Sequence, residues 1–182
     1  LDDDGDLDMV VANYGGDPQI FLNSGSGLST SASSWSPSET NHRSIALGDV
    51  DGDGLLDVAL GSSGVTELYY NSASGLSEST NWTGDASHTT TGIAFGDVDA
   101  DGDLDLVESN GCCSMQEATE LYINRDGVLD DESSWSPINN AVTTDLIWAD
   151  FDGDGLLDLA RANEEEPAEV FMNRGSTIDN NP

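Results

Sequence analysis

The sequence predicts an all-β chain built from one tandem repeat, on three observations. A nine-residue acidic pattern, D-x-D-x-D-G-x-x-D, occurs at residues 49–57, 97–105 and 150–158, with a copy lacking its first position at 1–8. An Asn closing an aromatic-aliphatic run recurs as Asn23, Asn71, Asn124 and Asn173, and each of the first three lies 26 residues before the next loop's first Asp. Short apolar runs bounded by Gly, Asn and Ser flank every loop, which is the pattern of strands.

Each unit begins with a run in which apolar residues stand two and four positions before the first Asp: Ile45 and Leu47, Ile93 and Phe95, Leu146 and Trp148. The intervening Ala46, Ala94 and Ile147 are apolar too, so these first strands are expected to be buried on both faces. The loop follows as a cation cage. Asp at positions 1, 3 and 5 offers carboxylates, Gly at position 6 permits the sharp turn, position 7 offers a carbonyl and Asp at position 9 closes the shell. Second strands are expected at 7–11, 56–60, 104–107 and 157–160, and the Asn-ending runs supply the third. A short fourth is expected between Leu28, Leu76, Leu129 or Ile178, five residues after each Asn, and Trp35, Trp82 or Trp135, which follow the first three Asn at 11 or 12 residues. Because these Trp recur in register, packing between units is their expected role.

A unit of 48–53 residues with about four antiparallel strands has the size of a propeller blade. The approximate blades are 1–40, 41–88, 89–143 and 144–182, the first and last incomplete, within a single repeat domain expected to be a segment of a larger propeller or array. From each loop's last Asp to the Asn the spacing is 15, 14, 19 and 15 residues, so length variation is confined to one connection, as repeat architectures predict.

Composition narrows the partners. Acidic residues number 36 against four Arg and no Lys, a formal charge of -32. Nucleic acid and anionic membranes need basic side chains and are therefore poor partners; no nucleic-acid partner is expected. No run of 18 apolar residues is present to span a bilayer. Like charges about 4 Å apart repel by about 4 kcal/mol at an effective dielectric near 20, so four Asp in one short loop call for a cation. The adjacent Cys112 and Cys113 can form a vicinal disulfide, bridge to other chains or stay free.

Rival calcium folds fail on the same residues. An EF-hand needs an acidic residue at loop position 12 and flanking helices, whereas position 12 here is Val11, Leu60, Glu108 and Arg161 and the flanks read as strands. The Gly-Gly-x-Gly-x-Asp nonapeptides of β-rolls are missing. The stretches IALGDVDGDGLLD at 45–57, IAFGDVDADGDLD at 93–105 and LIWADFDGDGLLD at 146–158 resemble the FG-GAP and VCBS-type repeat family, whose members fold as calcium-bearing β-propellers and include the headpiece blades of integrin α chains. The Gly-Ala-Pro element of FG-GAP is absent, so the bacterial VCBS branch is the closer likeness.

The resemblance implies about four calcium ions, one per repeat. Its ligands would be Asp49, Asp51, Asp53 and Asp57 with the Leu55 carbonyl; Asp97, Asp99, Asp101 and Asp105 with the Asp103 carbonyl; and Asp150, Asp152, Asp154 and Asp158 with the Leu156 carbonyl. The first copy keeps Asp2, Asp4 and Asp8 with the Asp6 carbonyl and is depleted at position 1. Such ions are structural, because each cage spends its oxygens on one cation.

No catalytic constellation emerges, and the chain is read as a non-enzyme. His42 and His88 lack repeated partners and are expected in turns, and Glu164, Glu165 and Glu166 form a solvated acidic loop. The expected function is an extracellular or cell-surface scaffold for adhesion, glycan or protein binding, or assembly with copies of itself into a surface filament. Its variable connections, at 13–17, 61–65, 110–119 and 163–167, would face the partner. The alternative is the propeller domain of a polysaccharide-degrading enzyme. Asn81 heads the one N-glycosylation sequon.

Overall fold

In the computed structural model, which describes every residue except 34, 38–40, 85–87, 113–114 and 176, the described residues form strands and no helix. Successive antiparallel units follow the repeat. In the first, β1 (Met9–Val11) pairs with β2 (Gln19–Phe21). In the second, β3 (Ser44–Gly48), β4 (Asp57–Gly61), β5 (Thr66–Tyr69) and β6 (Trp82–Thr83) form one four-stranded meander. The third holds β7 (Thr90–Gly96), β8 (Asp105–Asn110) and β9 (Glu120–Tyr122), followed by a small hairpin of β10 (Asn124–Arg125) and β11 (Val128–Leu129). The fourth holds β12 (Thr143–Ala149), β13 (Asp158–Asn163) and β14 (Glu169–Phe171). Together they make an all-β, propeller-like segment.

The register fixes where the acidic loops sit. Gly48 pairs with Asp57, Gly96 with Asp105 and Ala149 with Asp158, so each complete loop is the hairpin between the first and second strands of its blade. Second strands β4 and β8 are buried along their whole length: Val58, Ala59 and Leu60 in one and Leu106 and Val107 in the other pack between blades, while Glu108, Ser109 and Asn110 of β8 are buried with hydrogen-bond partners.

Two expectations need correction. The first strands are not buried on both faces: Leu47 is 42% and Ile147 60% exposed. The reason is packing between blades: β7 lies between β3 and β12 and has a neighbour on each face, whereas β3 and β12 each have such a neighbour on one face only, which leaves Leu47 and Ile147 uncovered. Among the described residues the fourth strand pairs with the third as a strand in β6, and elsewhere through single bridges, Ile20 with Ser33 and Leu121 with Trp135. Its Ser-rich sequence lacks the β-branched and aromatic residues that sustain a strand.

Apolar cores lie between blades rather than within them. Ile20, Trp35, Val58, Leu60 and Tyr69 join repeats one and two; Ala59, Leu68, Trp82, Ile93 and Leu106 join two and three; Val107, Leu121, Leu146, Leu159 and Phe171 join three and four. Each recurring Trp meets an aromatic ring of the next blade edge-on: Trp35 with Tyr69 at 5.1 Å, Trp82 with Tyr122 at 4.8 Å and Trp135 with Phe171 at 5.4 Å between centroids. Their indole N–H groups donate to the carbonyls of Ser77, Asp130 and Ile178 at 3.0–3.1 Å, so both the apolar body and the polar tip of each ring are satisfied. The predicted packing role of these Trp residues is what the fold shows.

Candidate metal centres

Each complete loop turns its carboxylates inward because backbone N–H groups hold them there. In loop two, Asp49 Oδ2 accepts from Gly54 N at 3.0 Å, Asp51 Oδ1 from Asp53 N at 3.2 Å and Asp53 Oδ1 from Leu55 N at 2.8 Å. Loop three repeats this with Asp97 and Gly102 at 3.2 Å, Asp99 and Asp101 at 3.3 Å, and Asp101 and Asp103 at 3.0 Å. Carboxylate oxygens of Asp49, Asp51 and Asp53, and of Asp97, Asp99 and Asp101, thereby come within 4.8 Å of one another. Loop four gathers Asp150, Asp152 and Asp158 instead, while Asp154 Oδ1 accepts from Leu156 N at 2.9 Å and stands outside the group. In the first copy Asp4 Oδ1 accepts from Asp6 N at 3.0 Å, and Asp2 and Asp4 are exposed.

The chemistry of this donor set can be tested against a cation. Asp49 Oδ1 and Asp97 Oδ1 are buried and accept no hydrogen bond, although a buried carboxylate oxygen without a donor is costly. Hard, anionic oxygens converging from positions 1, 3 and 5 fit a hard divalent ion. Position 7 is compatible with a carbonyl role: Leu55, Asp103 and Leu156 are half-buried, and the Asp103 side chain turns away to accept from Asp126 N at 2.8 Å.

Position 9 does more than close a shell. Asp57 Oδ2 accepts from Val50 N at 2.8 Å and Oδ1 from Asn71 N at 2.7 Å. Asp105 does the same with Val98 and Asn124, both at 2.8 Å, and Asp158 with Phe151 at 2.9 Å and Asn173 at 2.8 Å. Asp8 Oδ1 accepts from Asn23 N at 2.7 Å. Each closing Asp is thus a clasp between its loop and the third strand, with second lone pairs left for a cation. Burial pushes Asp57 upward and Asp105 up to about 6, the latter aided by the negative charges of Asp99 and Asp101.

The role of the recurring Asn is what sequence reasoning missed. Asn124 Nδ2 donates to Leu104 O of its own loop at 3.1 Å and to Val50 O of the preceding loop at 2.8 Å. Asn173 Nδ2 donates to Leu157 O at 3.2 Å and Val98 O at 2.7 Å, and Asn71 Nδ2 reaches Leu1 O at 2.8 Å. The Asn124 and Asn173 side chains each span two loops, at position 2 of one and position 8 of the other, while the Asn71 side chain reaches position 2 of the first copy. The unvarying Asn spacing was the available signal; its partner some 74 residues back was not.

Other singled-out residues fall elsewhere. His42 is buried, 2% exposed, two residues before β3. His88 stands between two glutamates, Nδ1 3.7 Å from Glu117 and Nε2 3.9 Å from Glu120. Beside it Glu108, 1% exposed, shares Asn110 Nδ2 and the Tyr122 hydroxyl with Glu120, and burial pushes its carboxyl up to about 7. Glu164, Glu165 and Glu166 are exposed. Asn81 is exposed, its Oδ1 accepting from Tyr70 N at 2.9 Å. Cys112 is half-buried, and the vicinal pair rests on Cys113, outside the described residues. No helix among the described residues is long and apolar enough to cross a membrane.

Hairpin loops of clustered Asp set between the first two strands of stacked antiparallel blades define a repeat scaffold. The chain belongs to the FG-GAP-like repeat family, whose model matches residues 1–60 and 49–108. No curated protein matches the chain. Among solved structures it is similar to a chain in the Tc holotoxin pore of Photorhabdus luminescens, at 16% identity and a TM-score of 0.46, over 90% of this chain. It spans 8% of that chain's length.

Proposed function

We propose that the chain is a calcium-stabilised extracellular scaffold whose blades display variable loops to a glycan or protein ligand. The observation that carries this is the pair of buried, donor-less oxygens, Asp49 Oδ1 and Asp97 Oδ1, facing two further carboxylates in each loop. Loop two would hold its ion with Asp49, Asp51, Asp53, Asp57 and the Leu55 carbonyl. Loop three would use Asp97, Asp99, Asp101, Asp105 and the Asp103 carbonyl, and loop four Asp150, Asp152, Asp154, Asp158 and the Leu156 carbonyl. Asp2, Asp4 and Asp8 with the Asp6 carbonyl serve the first copy. When bound, the ion supplies the positive charge that lets these carboxylates stay together.

The same chemistry supports an extracellular setting. Modules of this kind outside the cell bind calcium with dissociation constants of about 10⁻⁴–10⁻³ M, where the ion is plentiful. The connections at 13–17, 61–65 and 163–167, with the described part of 110–119, link second strands to third, whereas the acidic hairpins link first to second, and would be the surface offered to a partner. Calorimetric titration of calcium into chelated protein, followed in parallel by circular dichroism, tests the reading. Three or four ions per chain, with sheet signal or melting temperature rising as they bind, is the expected outcome; no heat and no change in either would end it.

A further inference from the structure

The closing Asp, the Asn and position 2 of each loop form one continuous polar relay through the molecule. Leu1 O accepts from Asn71 Nδ2, and Asn71 N donates to Asp57, whose other oxygen holds Val50 N. Val50 O then accepts from Asn124 Nδ2, Asn124 N donates to Asp105, and Asp105 holds Val98 N. Val98 O accepts from Asn173 Nδ2, Asn173 N donates to Asp158, and Asp158 holds Phe151 N. Asn124 and Asn173 are buried at 0% and 2% exposure, so water does not stand in for these contacts.

Position 2 lies between the carboxylates of positions 1 and 3. Fixing those two side chains on a cation fixes the peptide between them, and with it the N–H that the closing Asp holds and the carbonyl that the next Asn reaches. We propose that Asn71, Asn124 and Asn173 are positioning residues that couple neighbouring loops, so that calcium in one loop raises the affinity of the next. This rests on the calcium reading above. A loop already ordered by its neighbour loses less freedom when its own ion binds, which is positive cooperativity without a large structural change.

The test follows loop two through the Gly54 amide resonance during calcium titration, with loop three silenced by Asp97→Asn, Asp99→Asn and Asp101→Asn together; Asp105 is kept. Silencing loop three should weaken calcium binding at loop two by about fivefold, within the usual span of coupling between sites. With Asn124→Ala in both backgrounds the effect should shrink below about twofold. A residue that merely supports the fold would lower stability without removing this difference. The same cycle at the next junction uses Asn173→Ala, loop four silenced at Asp150, Asp152 and Asp154, and the Gly102 amide, should Asn124→Ala fail to fold. Unchanged loop-two affinity on silencing loop three, or a fall as large with Asn124→Ala as without it, overturns the coupling while leaving the calcium sites standing. No shift of either amide at millimolar calcium overturns the calcium reading and the coupling together.

Discussion

At the scale of single residues, the chain places carboxyls where burial works against their charge, and Glu108 is the clearest case outside the loops. It faces Glu120, His88, Asn110, Tyr122 and Thr66, and desolvation outweighs the hydrogen bonds, raising it from 4.5 to about 7. Folded Glu108 therefore holds a proton that the unfolded chain releases. Its contribution is fully present below about 4.5 and is lost as pH rises through about 7, on the order of 3 kcal/mol across that window. Chelated protein should accordingly melt higher at pH 5 than at pH 8, and Glu108→Gln should remove part of that difference by raising stability at pH 8. Equal pH slopes for wild type and variant would count against the assignment. Gly96 makes a second prediction at this scale. A Cβ there would lie 2.7 Å from the Trp148 ring, and one on Gly48 2.8 Å from Leu104 and 3.0 Å from Phe95. These glycines precede their loops because the next blade occupies the space, so Gly96→Ala should cost about 1–3 kcal/mol by overpacking, read as a lower urea midpoint.

At the scale of elements, the blade junction is the unit of stability, and Trp82 is its centre at the second junction. It is 7% exposed, stacks edge-on with Tyr122 and donates to Asp130 O at 3.1 Å. Trp82→Ala should destabilise by about 3–5 kcal/mol, whereas Trp82→Phe, which keeps most of the packing and loses the indole donor, should cost about 1–2 kcal/mol. Urea denaturation of the two variants checks the ordering; equal losses would mean that the hydrogen bond rather than the ring holds the junction. Much of this was legible in sequence. Asp and Asn locked at fixed intervals announce hairpin loops and third strands because those contacts are local, and a Trp that keeps step with them must meet a surface that repeats. What stayed hidden was relational. Nothing in the run from Ile45 to Leu47 tells which face of the strand lacks a neighbouring blade, and nothing near Asn124 points to Val50. The clasp role of Asp57, Asp105 and Asp158 was hidden for the same reason: a pattern reports that a carboxylate is required, not that both its oxygens are already engaged by backbone N–H groups.

At the scale of the whole molecule, the balance between charge and burial decides whether the blades stay stacked. A formal charge of -32 over 182 residues acts against any compact state, and the four Arg offset little of it: Arg161 is committed to Glu169 at 2.7 Å, Arg125 to Asp130 and Arg174 to Asp152 and Asp179, while Arg43 lies over the Tyr14 ring. Two remedies differ in kind. Monovalent salt screens repulsion between exposed carboxylates generally, since the Debye length falls from about 10 Å at 0.1 M to about 3 Å at 1 M, but it cannot coordinate the buried Asp49 and Asp97 oxygens. A divalent cation held in the loops would do both. A ligand that binds only the folded state adds about 2.7 kcal/mol per site at a hundredfold excess over its dissociation constant, so ions held in the three complete loops would together add roughly 8 kcal/mol. Sodium chloride should therefore raise the Tm of chelated protein gradually, while calcium at about 10 mM should raise it well above the level that 1 M sodium chloride reaches. Magnesium, which demands near-ideal octahedral geometry and sheds its water reluctantly, should fall short of calcium. Thermal melts in the three salts decide the matter. If sodium chloride at matched ionic strength restores the Tm as fully as calcium does, the loops act only as a diffuse negative field, and the stacking of blades owes nothing to an ion held within them.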